Sequence, residues 1–140
     1  MRVIIIGGVA GGMSAATRLR RLDESAEIIV LEKSGHVSYA NCGLPYYVGG
    51  VIAEEKDLLL QTPASLHARF RLDVRVSTEV LAINPSKKVV AIKNLITGQT
   101  DELDYDKLIL SPGASPVVPP IPGIERGMTL RTVEDVEKIA

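Results

Sequence analysis

The stretch Val3-Ile4-Ile5-Ile6-Gly7-Gly8-Val9-Ala10-Gly11-Gly12 decides the fold. Its first four residues form an uninterrupted β-branched run, which is typical of a strand buried on both faces of a parallel sheet. Glycines end that run, and apolar residues then recur at helical spacing: Met13, Ala16, Leu19 and Leu22. A second apolar run, 27–31, ends at Glu32. Strand, glycine turn, helix and strand predict a βαβ unit.

The rest of the chain extends this unit into three layers. Residues 74–76 and 107–110 are predicted as further inner strands, and short helices are expected over 42–48 and 64–70 and from Thr132 onward. Three short extended runs, 80–83, 88–95 and 99–103, predict an antiparallel meander laid over the parallel sheet. The proline-rich residues 116–122 favour an extended connector. The predicted class is α/β, with helices on one face of the parallel sheet and the β-meander on the other.

Composition excludes several classes of protein. A length of 140 residues suits one core, and a net charge of −1 with 4% aromatic residues and no Trp disfavours nucleic-acid binding. The apolar run near the start is too short for a signal segment or a membrane span. A single cysteine closes no internal disulfide and fits a reducing cytoplasm. We therefore expect a cytoplasmic protein with one thiol free for chemistry.

The glycine turn is a candidate site for a dinucleotide. Gly7, Gly8, Val9, Ala10, Gly11 and Gly12 stand between a strand and a helix, where a diphosphate would rest on backbone N–H groups. The middle glycine of the usual fingerprint is replaced by Val9, and a tight turn without a ligand is the alternative. Glu32, 20 residues after Gly12, is placed to accept hydrogen bonds from ribose hydroxyls. Lys33 beside it is a further cofactor-binding candidate, although both residues also suit a solvated strand end.

The segment Ser38-Tyr39-Ala40-Asn41-Cys42-Gly43-Leu44-Pro45-Tyr46 is the most informative stretch. It resembles the active-site segment Ser-Phe-x-x-Cys-Gly-x-Pro-Tyr of the coenzyme A-disulfide reductases, which belong to the pyridine nucleotide-disulfide oxidoreductases. Tyr39 replaces the usual Phe. The similarity extends over the glycine turn, Glu32, Thr62-Pro63, residues 105–116 and residues 130–132, and therefore covers nearly the whole chain.

The resemblance implies a Rossmann-like FAD/NAD(P)-binding domain in an FAD-dependent oxidoreductase that takes electrons from NAD(P)H. Cys42 is then the redox-active thiol, which forms a mixed disulfide with coenzyme A from coenzyme A disulfide or a related persulfide or polysulfide. The positive end of a helix would favour its thiolate form. Asn41 and Ser38 are expected to assist as catalytic and substrate-binding residues. An inert buried thiol is the alternative for a lone cysteine, but the polar and turn-forming neighbours of Cys42 disfavour it.

The same resemblance implies further contacts. Ser111, Pro112 and Gly113 are expected to touch FAD, together with the backbone of Val80. Ser14, Arg18 and Arg21 lie along one helical stripe of a basic cluster that also contains Arg20, and they are expected to contact the phosphates of coenzyme A. A solvated helix face is the alternative for this stripe. His36 and His67 have no companion ligands at metal spacing, so no metal site is predicted.

The family resemblance also implies a longer, homodimeric enzyme. We expect residues 1–115 to be the amino-terminal part of the FAD-binding domain, residues 116–132 a linker, and residues 133–140 the truncated start of an NAD(P)-binding domain. Two alternatives stay open. Cys42 would cycle through a sulfenic acid, as in NADH oxidases and peroxidases, or the chain would be a non-catalytic nucleotide-binding module.

Overall fold

A four-stranded parallel sheet forms the centre of the fold in the computed structural model, which describes residues 1–139. Its strand order is β3-β2-β1-β7, with bounds Asp73–Arg75, Glu27–Leu31, Arg2–Ile6 and Lys107–Leu110. Ile4 of β1 lies opposite Ile29 of β2 and Leu108 of β7. Strand β1 is covered on both faces, which explains its unbroken apolar run.

Two helices cover one face of this sheet. Helix α1 spans Ala10–Leu22 and helix α3 spans Pro63–Phe70. Thr62 caps α3 in a capping box with Ser65, as the Thr-Pro pair predicts. The helices and the sheet share a core of buried residues: Val3, Ile5, Met13, Ala16, Ala26, Ile28, Val30, Val37, Leu66 and Leu72.

An antiparallel meander covers the other face. Its strands β4, β5 and β6 span Thr78–Asn84, Val89–Asn94 and Thr100–Asp104 and pair in sequence order. Val90 and Ile92 of the central strand pack against Ile4, Ile29 and Leu31. The sheet therefore lies between a helical layer and a β layer.

A smaller core lies at the carboxyl end of the parallel strands. It supports residues 38–46, which we call the cysteine segment. A 3₁₀ turn at Asn41–Gly43 leads into helix α2, Leu44–Val48, and helix α4 spans Val133–Ile139. We call the buried residues Tyr39, Leu44, Leu58, Val133 and Val136 the third core. It joins segments that are about 100 residues apart in the chain.

The predicted α/β class with its three layers is confirmed. Both strands that were predicted as further inner strands lie at the edges of the parallel sheet. Within residues 1–139, β7 pairs only with β1 and β3 pairs only with β2. Its alternating Val74-Arg75-Val76 pattern suits that edge, because only one side of the strand is paired. Residues 116–122 contain no regular structure except the beginning of a turn, as the prolines predict. The division into domains stays a prediction, although α4 packs directly on the third core.

Candidate dinucleotide site and neighbouring thiol

Two positions of the glycine turn have no room for a side chain. Gly7 has a φ of +101°, and a Cβ there would lie 1.9 Å from the carbonyl oxygen of Ser111. A Cβ on Gly12 would lie 1.7 Å from the carbonyl oxygen of Gly7. These glycines let β1 turn sharply into α1 while β7 passes close by.

The amino end of α1 is open to an anion. The helix begins at Ala10, its N-cap is Val9, and no side chain caps the first N–H groups or adds negative charge to the first turn. Such groups carry partial positive charge and are suited to a diphosphate. Val9 does not block the turn, because its side chain packs against the third core. The replacement of the middle glycine is thus explained by packing.

Glu32 holds the turn and the following loop together. Its Oε2 accepts a hydrogen bond from the Gly8 N–H at 2.8 Å, and its Oε1 accepts one from the Ser34 N–H at 2.9 Å. A carboxylate has about four acceptor positions, so two backbone bonds leave capacity for ribose hydroxyls. Glu32 can therefore hold the glycine turn through these bonds and still accept hydrogen bonds from a ribose.

A cleft of about 610 Å³ opens in front of this turn. Most of the predicted cofactor residues line it: Val9, Ala10, Gly11, Glu32, Lys33, Ser111, Pro112 and Gly113. Asn41, which was predicted as a catalytic and substrate-binding residue, lines it too. Gly11 leaves space there, since an added Cβ would meet only the Ser111 side chain, at 3.4 Å and beyond. An open helix end, a carboxylate with acceptor capacity left over and glycine at the cleft wall together fit a dinucleotide such as FAD, which would rest on these residues.

Other predicted cofactor residues shape the site without lining the cleft. Gly7, Gly8 and Gly12 form the turn itself. Val80 lies in β4, half-buried against the core between the two sheets, and its predicted backbone contact to FAD stays a prediction. Sequence reasoning missed several cleft residues that come from the chain's far end: Arg131, Thr132, Glu134 and Asp135.

The cysteine segment is anchored to the glycine turn. Ser38 has a φ of +50°, and its N–H donates to the Gly8 carbonyl at 2.9 Å. Tyr39 forms a single antiparallel bridge with Leu59. Cys42 is exposed, in the 3₁₀ turn one residue beyond Asn41. The thiol is therefore accessible and stands next to a residue of the dinucleotide cleft.

A second cavity, of about 380 Å³, borders the same segment. Ser14 and Ser38, two of the predicted substrate-binding residues, line it together with Gln61, Arg69 and Phe70, which the sequence did not suggest. Tyr39 lines both this cavity and the dinucleotide cleft. The segment that carries Cys42 therefore borders both spaces through Ser38, Tyr39 and Asn41, while Cys42 itself lines neither.

The basic cluster divides in the structure. Arg18 and Arg21 are exposed on α1, and Arg21 lies in a shallow cavity with Arg69 and Arg71. Arg20 is buried, and its guanidinium donates to five backbone carbonyls, among them Ala26 at 2.7 Å and Phe70 at 2.8 Å. Arg20 is thus a structural residue, while its neighbours stay substrate-binding candidates.

His36 lies near two other side chains that could bind a metal ion. One ligand atom each of His36, Glu55 and Glu137 lie within 4.8 Å of one another, and His36 Nε2 is 3.9 Å from Glu137 Oε1. The sequence could not show this, because the three residues come from separate segments. Glu137 is exposed, and exposed acidic groups gather in this way without a metal, so the cluster is not assigned as a metal site.

The fold and the cleft define a class: an FAD/NAD-binding Rossmann-like domain with an accessible thiol at its dinucleotide site. A family model described as pyridine nucleotide-disulphide oxidoreductase matches residues 1–140. The chain belongs to that family. This supports the predicted cofactors, FAD and NAD(P)H.

Individual relatives agree with this class. The chain is 41% identical to coenzyme A disulfide reductase of Staphylococcus aureus, over 99% of this chain and 31% of that protein. Its fold matches reduced CoADR-RHD from Bacillus anthracis with a TM-score of 0.95 at 53% identity, covering 99% of this chain and 25% of the other. An NAD-dependent persulfide reductase from A. fulgidus gives 0.93 at 44% identity, with 99% and 26% covered. The chain spans about a quarter to a third of these proteins.

Proposed function

We propose that this chain is the FAD-binding portion of an NAD(P)H-dependent reductase of coenzyme A disulfide, or of a related persulfide or polysulfide. One observation carries the proposal: Cys42 is exposed, directly after Asn41 of the dinucleotide cleft, on a segment that borders both this cleft and the second cavity. The proposal puts the cofactor in the cleft and the substrate in the second cavity, with the thiol on the segment that both spaces share. The names of the relatives point to the same substrates.

The reaction follows from the single cysteine. The thiolate of Cys42 attacks one sulfur of coenzyme A disulfide, so that a Cys42–S–S–coenzyme A bond forms and one coenzyme A thiolate leaves and takes a proton. When bound, FAD supplies two electrons from NAD(P)H, which split the mixed disulfide into the Cys42 thiolate and a second coenzyme A. In this proposal Asn41 and Ser38 would donate hydrogen bonds to sulfur or substrate, while the Ser14, Arg18 and Arg21 stripe would hold the phosphates.

The whole enzyme is proposed to be a cytoplasmic homodimer. Within residues 1–139, no helix is long and apolar enough to cross a membrane. A reducing compartment would keep a lone cysteine free, as this chemistry requires. Residues 117–118 and 121 of the connector carry exposed Val and Ile side chains, which are suited to burial against further parts of the enzyme.

Mass analysis of Cys42 tests the proposal. The full-length protein is purified, its flavin is released and identified, and the Cys42 peptide is weighed before and after a reductant. We expect FAD and a reductant-labile adduct of coenzyme A mass, absent from a Cys42→Ser variant. A sulfenic acid in place of the adduct would favour the oxidase or peroxidase alternative. Equal thiol chemistry in both proteins would indicate the non-catalytic module.

A further inference from the structure

Tyr39 is nearly buried, yet its hydroxyl is not used by the protein. The residue is 7% exposed and its ring packs in the third core. The nearest carboxylates bond elsewhere: Glu32 accepts from Gly8 and Ser34, and Glu134 accepts from Ser34 and Gly35. No hydrogen bond among residues 1–139 involves the Tyr39 hydroxyl, although a buried phenol normally finds a partner.

This hydroxyl is not sealed off from solvent. Among residues 1–139, every side-chain polar atom that is closed off from solvent has a hydrogen-bond partner, so the unpartnered Tyr39 oxygen is accessible. Tyr39 lines both the dinucleotide cleft and the second cavity.

Charged residues surround Tyr39 on the side of the dinucleotide cleft. Glu32, Arg131, Glu134 and Asp135 all line this cleft together with Tyr39, and none of them lines the second cavity. Burial raises the pKa of Tyr39, and the carboxylates of Glu32 and Glu134 raise it further. A tyrosine hydroxyl is already protonated at neutral pH, and the raised pKa keeps it a donor over a wider pH range.

We propose that Tyr39 donates a hydrogen bond to bound FAD, at an oxygen of its diphosphate or of the adjoining sugar chain. This inference rests on the proposed function, because it assumes FAD in the cleft. The donor is already held by the third core, so little side-chain entropy is lost on binding. The residue would strengthen cofactor retention without taking part in the disulfide chemistry of Cys42.

Cofactor affinity of the full-length protein tests this role. FAD is removed from the wild type and from Tyr39→Phe, and the dissociation constant is measured by titration with FAD through flavin fluorescence. We expect Tyr39→Phe to bind FAD about tenfold more weakly, the usual effect of one hydrogen bond to a polar or charged acceptor. Thermal unfolding of the flavin-free protein should not change, because the hydroxyl has no protein partner to lose.

Tyr47→Phe is the matched control, since Tyr47 packs against the same core and borders neither cavity. It should bind FAD as the wild type does. A dissociation constant of Tyr39→Phe within twofold of wild type would overturn the inference while leaving the proposed function intact. Lower stability of flavin-free Tyr39→Phe with unchanged FAD affinity would also overturn it. A wild type that holds no FAD would refute both.

Discussion

The glycine turn and the cysteine segment touch each other but are held in different ways. The turn is fixed by contacts between backbone atoms, since Gly7 and Gly12 have no room for a Cβ. The cysteine segment rests on the third core, whose members Leu58, Val133 and Val136 come from distant parts of the chain. The turn is therefore fixed by close backbone contact, whereas the position of the thiol depends on the packing of side chains.

This difference predicts that substitutions in the two regions will have different effects. A side chain added to the turn meets backbone atoms that cannot move without shifting two strands. A side chain removed from the third core leaves a space that neighbours fill in part. Changes in the turn should act on the whole fold, and changes in the third core should act first on the surroundings of Cys42.

Gly12→Ala is expected to have the largest effect. Its Cβ would lie 1.7 Å from the Gly7 carbonyl oxygen, so folding requires the turn to open. We expect a loss of more than about 4 kcal/mol in the free energy of unfolding, or no folded protein at all. Urea unfolding of the flavin-free protein, followed by circular dichroism, measures it.

Gly11→Ala is the matched control in the same helix. Its Cβ would meet the Ser111 side chain at 3.4 and 3.6 Å, which is ordinary contact. Alanine favours a helix over glycine by up to about 1 kcal/mol, so this variant should be as stable as the wild type or more so. Similar losses in both variants would show that the turn is not governed by backbone contact.

The same difference explains what the sequence could predict. The βαβ unit and the cofactor glycines were predictable because strand and helix periodicity and turn chemistry are local properties. The place of Tyr39 on the border of both cavities was not, because it needs Tyr39 packed beside α4, about 100 residues away. Arg20 was grouped with Arg18 and Arg21 as one basic cluster. Its position four residues after Ala16 and seven after Met13 places it on the buried face of α1, so helical phase contained the missing signal.

Arg20→Met is expected to have the second largest effect. It tests how α1 is anchored near its carboxyl end, away from the glycine turn. The substitution leaves carbonyls of Ala26, Phe70 and others without their donor. We expect a loss of about 3 kcal/mol in global stability, because one buried and four partly buried carbonyls lose their donor. Arg18→Met, at an exposed position of the same helix, should change stability by less than about 0.5 kcal/mol. Equal effects in the same urea titration would contradict the structural role of Arg20.

Val136→Ala tests the third core directly. Val136 is 1% exposed and packs with Tyr39 and Leu44. Removing two methyl groups should cost about 2 kcal/mol. Relative to the wild type, the rate of backbone hydrogen exchange should increase more at residues 41–44 than at the glycine turn. The rate of Cys42 alkylation should also increase. Val51→Ala, at an exposed position, is the control and should alter neither rate. An equal increase in hydrogen exchange at the glycine turn and at residues 41–44 would contradict the proposed difference between the two regions.

Glu134→Gln is expected to have the smallest effect, and it adds a dependence on pH. The Glu134 Oε1 accepts hydrogen bonds from the Ser34 hydroxyl at 2.7 Å and the Gly35 N–H at 2.9 Å, which tie α4 to the loop after β2. Burial raises the pKa of Glu134, but these hydrogen bonds outweigh it and hold the pKa below the ordinary value of 4.5.

A carboxyl whose pKa is lower in the folded state stabilises the fold above its unfolded-state pKa, and this contribution disappears as the pH falls through the folded-state value. The wild type should therefore unfold at a higher temperature than Glu134→Gln at pH 7. The gap should begin to close below about pH 4.5 and vanish at lower pH, where Glu134 is protonated and, like Gln, uncharged. Thermal midpoints of both proteins between pH 7 and pH 3 measure the gap. A gap that stays constant over this range would mean that the charge of Glu134 does not hold α4 against the loop, and that apolar packing in the third core alone positions the cysteine segment.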